Sequence, residues 1–481
     1  MILWLILVIP LFAAGFSSWP SSRRTLPGAV TLLAMAAEFL LALAVATRCA
    51  SGATATALAG WVSCDAFGAL VLVLCSFAGL TSALFSIGFT RRATDPMEAG
   101  RVRRYFVRFN LFVASVLAVP LLADVALVWI AIALTTLLSV FLVSFDRTTA
   151  ALEAAWKYAV LTSMGAALAL FGVLLLYWAM RQGGSQSFTW TGLAAAAGAM
   201  PPVLVRTAFL FMLVGYGTKA ALVPFHAWLP DVYSQAPVPI CALLSVTETT
   251  VLPYVVVRLL PLFPGRAGDG AGRWLVVFGL FSTVGAALLL VQVKDIKRLF
   301  AYSTIENAGI ILTAAGLGGA ATFGSVYQLM AHALVKPFGF FAAGAALLFA
   351  GTTEIDAVRG LGRRSPLAGA ALLAGALAVT GAPPFVLFLS ELSILRGGAI
   401  DHRFLAVSIL VACMVGAFCA VLYHVTRMVF GKSGETGPAP PFPRSYAVAL
   451  AAVLLPVLAL GVGLPAPVER LLRLAAAALG R

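Results

Sequence analysis

Runs of apolar residues long enough to cross a bilayer recur from one end of this chain to the other. In lipid every backbone N–H and C=O must be paired within the protein, so such runs are confined to helices or a closed barrel. At ~20 residues per crossing they number about fourteen. They fall at roughly 1–18, 28–48, 62–89, 106–122, 124–144, 155–181, 203–228, 238–262, 273–292, 299–318, 323–350, 367–396, 403–430 and 445–465. Their length favours helices. The chain is 62% hydrophobic and only 10% charged, well away from the roughly half apolar, quarter charged makeup of a soluble domain. The expected class is an all-α integral membrane protein. The first run, MILWLILVIPLFAAGF, has no basic residues ahead of it and no small-residue cleavage pattern, so it reads as a membrane helix rather than a signal peptide.

The net charge of +14 is a matter of topology. When alternate loops are assigned to opposite sides, nineteen of the 32 basic residues share one side. They include Arg23, Arg24, the Arg91, Arg92, Arg101, Arg103, Arg104 and Arg108 cluster, and Lys294, Lys297 and Arg298. The positive-inside rule puts that side in the cytoplasm and both termini outside. A nucleic-acid partner is not indicated. The six cysteines are scattered, histidines number four, and glycine-rich phosphate loops are lacking. The sequence therefore predicts no cofactor and no metal, and no redox centre of its own. The 182–200 stretch reads as an exposed connector. The tail at 466–481 reads as an interfacial helix or a fraying end.

Ionisable residues inside the apolar runs carry the chemistry. Lys219, in GYGTKAALVPFHAWLP, lies about ten residues, or ~15 Å of helix, from the polar stretch at Asp231. That is too far for its ammonium to reach the interface. A charge at mid-bilayer costs roughly 2.5–3.5 kcal/mol even on a lenient insertion scale, and usually marks an ion or proton path. The structural alternative is a lysine capping carbonyls freed by Pro224. Glu248 lies among threonines in LLSVTETTVLPY, and Glu306 and Asn307 lie in YSTIENAG. His332 and Lys336 share a helix face in HALVKPF, where Pro337 is expected to break the helix. Glu391 follows the Pro383–Pro384 interruption in TGAPPFVLFLSEL. A row of acids, bases and amides at mid-membrane suits a proton relay. The seventh and twelfth helices are both proline-broken, a pattern that points to inverted repeats.

GYGTKAALVPFHAWLPDVYSQAPVPICALLS, KDIKRLFAYSTIENAGII, HALVKPFGFFAAGA and ALAVTGAPPFVLFLSELSIL occur in that order. Together they resemble the antiporter-like membrane subunits of respiratory complex I, Mrp antiporters and membrane-bound hydrogenases. Within that superfamily, WIAIALTTLLSVFLVSF, ALEAAWKYAVLTSMGAALALFG and GTTEIDAVRGL are most similar to the hydrogenase-4 component F branch. The resemblance implies fourteen helices, divided into 1–105 (helices one to three), a first repeat at 106–265, a second at 266–431, and 432–481 (helix fourteen and an interfacial tail). It implies a multi-pass protein of a bacterial or archaeal inner membrane. Its partners would be other membrane subunits, the lipid bilayer and a peripheral electron-transfer arm. It also implies a proton path along the membrane plane through Lys219, Glu248, Glu306, His332, Lys336 and Glu391.

Three positions depart from the family pattern. The glutamate of the fifth helix is Ala133, the lysine or asparagine of the eighth is Thr250, and the histidine after YSTIE is Asn307. Glu248 is a substitute acid, but it sits ~200° around a regular helix from Thr250 and so faces away from the vacated position. Three readings follow. One is a proton-translocating membrane subunit of a hydrogenase-like or complex I-like oxidoreductase. Another is an Mrp-type cation/proton antiporter subunit or an inorganic-carbon uptake subunit. The third is a non-conducting scaffold.

Overall fold

The computed structural model describes residues 2–20, 24–91, 98–263, 270–432 and 441–479. Arg23 and Arg92 of the basic loops, and the 265/266 boundary between the expected repeats, lie outside the described residues. The chain is overwhelmingly helical. Its helices are α1 (Ile2–Ser18), α2 (Leu26–Cys49), α3 (Ala66–Thr90), α4 (Ala99–Ala118), α5 (Val125–Val143) and α6 (Thr149–Gln182). They continue with α7 (Trp190–Ala196), α8 (Pro202–Lys219), α9 (Trp228–Gln235), α10 (Val238–Val257), α11 (Ala271–Val291), α12 (Ile296–Leu317) and α13 (Ala321–Ala350). The last are α14 (Leu361–Arg364), α15 (Pro366–Val379), α16 (Val386–Ile400), α17 (Phe404–Phe430), α18 (Arg444–Val462) and α19 (Ala466–Ala477).

Among the described residues nine helices are long and apolar enough to cross a membrane. They are α2, α3, α5, α6, α10, α11, α13, α17 and α18. The runs at α4, α8 and α12 carry charged residues, while α1, α15 and α16 are shorter. Faces of α1, α6 and α17 stay apolar and exposed, as at Phe16, Trp156 and Leu405. An apolar outer face is what lipid requires. Three of the eighteen acidic residues cap helix starts. Asp65, Asp124 and Asp295 accept backbone N–H groups at the starts of α3, α5 and α12, where unpaired donors collect.

At the core lies α10, in which every residue is buried. It packs against α3, α8, α12 and α13. Next to it, α6 and α8 approach backbone to backbone: a methyl added at Gly165 would lie 2.7 Å from the Gly215 carbonyl oxygen. That approach fixes the end of α8, where Lys219 stands.

Several sequence expectations need correction. Pro337 does not break its helix, because α13 runs unbroken from Ala321 to Ala350. A proline removes one N–H from the ladder, but in a buried bundle neighbouring helices hold the segment helical. The 182–200 connector is not simply exposed. Phe188, Trp190 and Leu193 are buried, and Asp124 bridges to Thr189. The residues between α2 and α3 form a small antiparallel hairpin, β1 (Ala55–Ala57) with β2 (Val62–Cys64), which the sequence did not announce. The tail forms α19, whose buried Leu471, Leu472, Ala475 and Ala476 pack it across α3 and α13.

Candidate functional site

Two helices stop short inside the protein. α8 ends at Lys219 and the chain resumes helical form only near Phe225; α15 ends at Val379 and α16 starts at Val386. The Val223–Pro224 and Pro383–Pro384 bonds are cis. These are the interruptions expected at Pro224 and at Pro383 and Pro384. The first is tied down by two hydrogen bonds. The Trp228 indole donates to the Thr218 carbonyl at 2.8 Å, and the Val223 N–H donates to the Ser282 hydroxyl of α11 at 3.0 Å. Groups freed at a helix end must find such partners.

At the first break Lys219 is 3% exposed. Its ammonium lies 3.4 Å from Glu248 Oε1 and donates to Thr136 Oγ1 at 2.6 Å. Tyr158 donates to the same carboxylate oxygen at 3.3 Å and shares a 2.8 Å hydrogen bond with Ser139. Four helices, α5, α6, α8 and α10, each supply part of this cluster. Ala133, where the family pattern has glutamate, sits one helical turn before Thr136 on α5. The acid that pairs with the lysine therefore comes from α10 instead of α5. The 200° that separates Glu248 from Thr250 is what turns it toward Lys219; Thr250 is buried, and its hydroxyl has no partner among the described residues.

About 100° further around α10, the residue after Glu248 meets the second group. Thr249 Oγ1 lies 3.1 Å from His332 Nε2 on α13. Lys336, one turn further along α13, donates to the Phe300 carbonyl at 3.0 Å and to Ser303 Oγ at 2.9 Å. From there hydrogen bonds run outward. Asn307 donates to the Ser303 carbonyl at 2.9 Å, Gln328 donates to Asn307 Oδ1 at 2.9 Å, and Ser390 donates to Gln328 Oε1 at 2.6 Å. Glu391 is the next residue. Its carboxyl occupies the space a side chain at Gly381 would fill, and Gly381 itself has φ +69°. Only glycine suits that place. Glu306 is buried within electrostatic reach of both Lys336 and Glu391.

The six residues read from the sequence thus come together around α10 and α13. Sequence reasoning missed the groups that join them: Thr136, Ser139, Tyr158, Thr249, Ser303, Gln328 and Ser390. Each is a polar residue inside an apolar run, and that was the available signal. Asn307, a departure from the family pattern, is a link in the chain. Chemically the site offers one buried acid–base pair, one buried imidazole, a second lysine, two further carboxyls, and hydroxyls and amides between them. Such a series can hold and pass protons, with water completing the gaps. Among the described residues no cluster of three or more His, Cys, Asp or Glu side chains could hold a metal.

Residues 123–416 match the model of the family described as NADH:quinone oxidoreductase/Mrp antiporter, TM. The chain is 35% identical over 412 residues to a hydrogenase-4 component F homolog of Methylacidiphilum infernorum, covering 83% of this chain and 85% of that one. It is 28% identical to the NADH-quinone oxidoreductase subunit N of Desulforudis audaxviator, covering 95% and 94%. Its fold is similar to a chain of the membrane-bound sulfane sulfur reductase, an archaeal respiratory membrane complex. The TM-score there is 0.87 at 26% identity, covering 99% of this chain and 97% of that one.

Proposed function

This chain belongs to the NADH:quinone oxidoreductase/Mrp antiporter transmembrane family, and from that premise we propose that it carries protons through a redox-driven membrane complex. It is an antiporter-like membrane subunit; the proposal concerns how it works. Protons move along the row Lys219, Glu248, His332, Lys336, Glu306 and Glu391. Partner membrane subunits and a peripheral arm handle the electrons. The observation that carries this reading is the buried Lys219–Glu248 pair. It gives the chain an exchangeable acid–base couple where the family's fifth-helix glutamate is missing.

The finer architecture belongs to the same proposal. The chain makes fourteen crossings, with inverted repeats at 106–265 and 266–431 around the breaks at Pro224 and at Pro383–Pro384. Both termini and the 182–200 connector face outward, and the arginine-rich loop faces the cytoplasm. Each break lies next to an ionisable residue, Lys219 at the first and Glu391 at the second, the arrangement expected of a substrate path at mid-membrane.

The test is reconstitution of the native complex in sealed vesicles, following proton uptake together with electron-transfer rate. Lys219→Met and Glu391→Gln are expected to abolish uptake and leave electron transfer running. Uptake unaltered by either change sinks the row as the path. Intact electron transfer without uptake in the unaltered complex supports the scaffold reading. Uptake that requires sodium supports cation exchange.

A further inference from the structure

The bundle of α1 to α4 lies outside the row of Lys219 to Glu391, yet it encloses a carboxyl of its own. Glu38 sits at the middle of α2, in VTLLAMAAEFLLALAV, the one acid of that run. It is 0% exposed, and neither of its oxygens has a hydrogen-bond partner among the described residues. Buried polar groups are nearly always paired, and each exception needs a reason. Inside a membrane helix such a residue marks function by default.

Among the described residues the surroundings hold no cation at its level. α1 contributes no ionisable residue and α3 only Cys75. The arginines of α4, Arg101 to Arg108, lie at or before the level where Asn110 of α4 meets Thr31 of α2. Thr31 is two turns from Glu38. On α19 the charged residues are Glu469, Arg470 and Arg473; Arg470 is exposed, and Arg473 is bound to Glu469. An ionised Glu38 would be an unpaired charge in apolar surroundings, so the group rests with a proton.

Polar groups lead toward it from the arginine-rich end. Tyr105 and Ser86 share a 2.8 Å hydrogen bond between α4 and α3. Ser82 follows one turn along α3, buried and without a partner. Asn110 donates to Thr31 Oγ1 at 2.7 Å, and its own oxygen is unpartnered. Thr31 and Glu38, seven residues apart, share a face of α2. Between them stands Met35, fully buried against Gly79, with the flexible side chain best able to swing aside. Ser82, Asn110 and Glu38, on three helices packed together, each have an unpartnered oxygen, which suits water as the common partner.

We propose that Glu38 is a second proton-binding site, reached by water from the arginine-rich face along Tyr105, Ser86, Ser82, Asn110 and Thr31, and separate from the row between Lys219 and Glu391. Infrared difference spectroscopy of the reconstituted complex in H2O and D2O tests it. One protonated-carboxyl C=O component is expected to vanish in Glu38→Gln, to shift in D2O in the unaltered protein, and to persist in Lys219→Met. In Ser82→Ala, which removes an unpartnered hydroxyl, deuteration of that component should slow severalfold. If Glu38→Gln does not assemble, Glu38→Asp should move the component to a new frequency. No component lost in Glu38→Gln or moved in Glu38→Asp, or one that never shifts in D2O, overturns the proposal. Because the component is read by its bond vibration and not by uptake, failure of the main row leaves this test intact.

Discussion

The two lysines of the buried row are held in opposite ways. Lys219 has a carboxylate at 3.4 Å, and its other contacts are the Thr136 hydroxyl and the Tyr158 ring. Lys336 has no carboxylate within ion-pair distance among the described residues. It is held by a backbone carbonyl and a serine, and the hydrogen bonds that continue from that serine run through two amides to Ser390, the residue before Glu391. The first centre is a short acid–base pair that can open and close. In the second, the ionisable groups stand apart and are linked through hydroxyls and amides. Low dielectric strengthens both kinds of contact, but it punishes an orphaned member of a close pair most.

The largest expected effect follows from that asymmetry. Glu248→Leu strands Lys219 and should cost about 3–5 kcal/mol of stability. The double change Lys219→Met with Glu248→Leu should recover most of it, because an apolar pair of similar volume often replaces a buried ion pair without loss. Thermal unfolding in detergent reads both. A double variant as unstable as the single one would break the description of this centre as a pair.

A sharper test moves the acid. Glu248→Gln should stop proton uptake, and adding Ala133→Glu should restore part of it, since position 133 lies one turn from the hydroxyl that binds Lys219. Failure of the rescue, with the protein folded, would mean that the place of the acid matters as well as its presence.

In the second centre, Gln328→Leu leaves the Asn307 and Ser390 groups without their amide partner. The expected loss is about 1–3 kcal/mol, read by the same unfolding curves, with slowed but not abolished uptake. At the breaks, Gly381→Ala forces a side chain into the space of Glu391 at a positive φ and should cost about 1–2 kcal/mol. Ala221→Gly, at φ +57°, should be neutral or stabilising by up to ~1 kcal/mol.

The smallest destabilisation lies at the arginine-rich face, where Arg298 binds Asp231 at 2.7 Å with both side chains partly exposed. Arg298→Gln should cost about 0.2–1 kcal/mol and less in high salt. An effect as large as that of Glu248→Leu would erase the contrast between buried and surface pairing.

What the sequence made legible was the composition of the row, because a Lys or Glu ten residues inside an apolar run is conspicuous whatever the fold. What it left out was orientation. Glu248 pairs with Lys219 because α8 is drawn against α6 at Gly165 and α10 is wrapped on every side; neither fact is local to LLSVTETTVLPY. The passage of α13 through Pro337 was hidden for a related reason, since the residues that hold that segment helical belong to other helices. The docking of α19 was half visible in its spacing of leucines and arginines, but its destination on α3 and α13 was not.

Adjacent residues of one fully buried helix face the two centres, Glu248 toward Lys219 and Thr249 toward His332. α10 therefore carries one contact of each centre. A slide or turn that shortens the distance on one side changes it on the other in the same motion. Any effect that protonation of one centre has on the proton affinity of the other must, by linkage, be returned by the same factor.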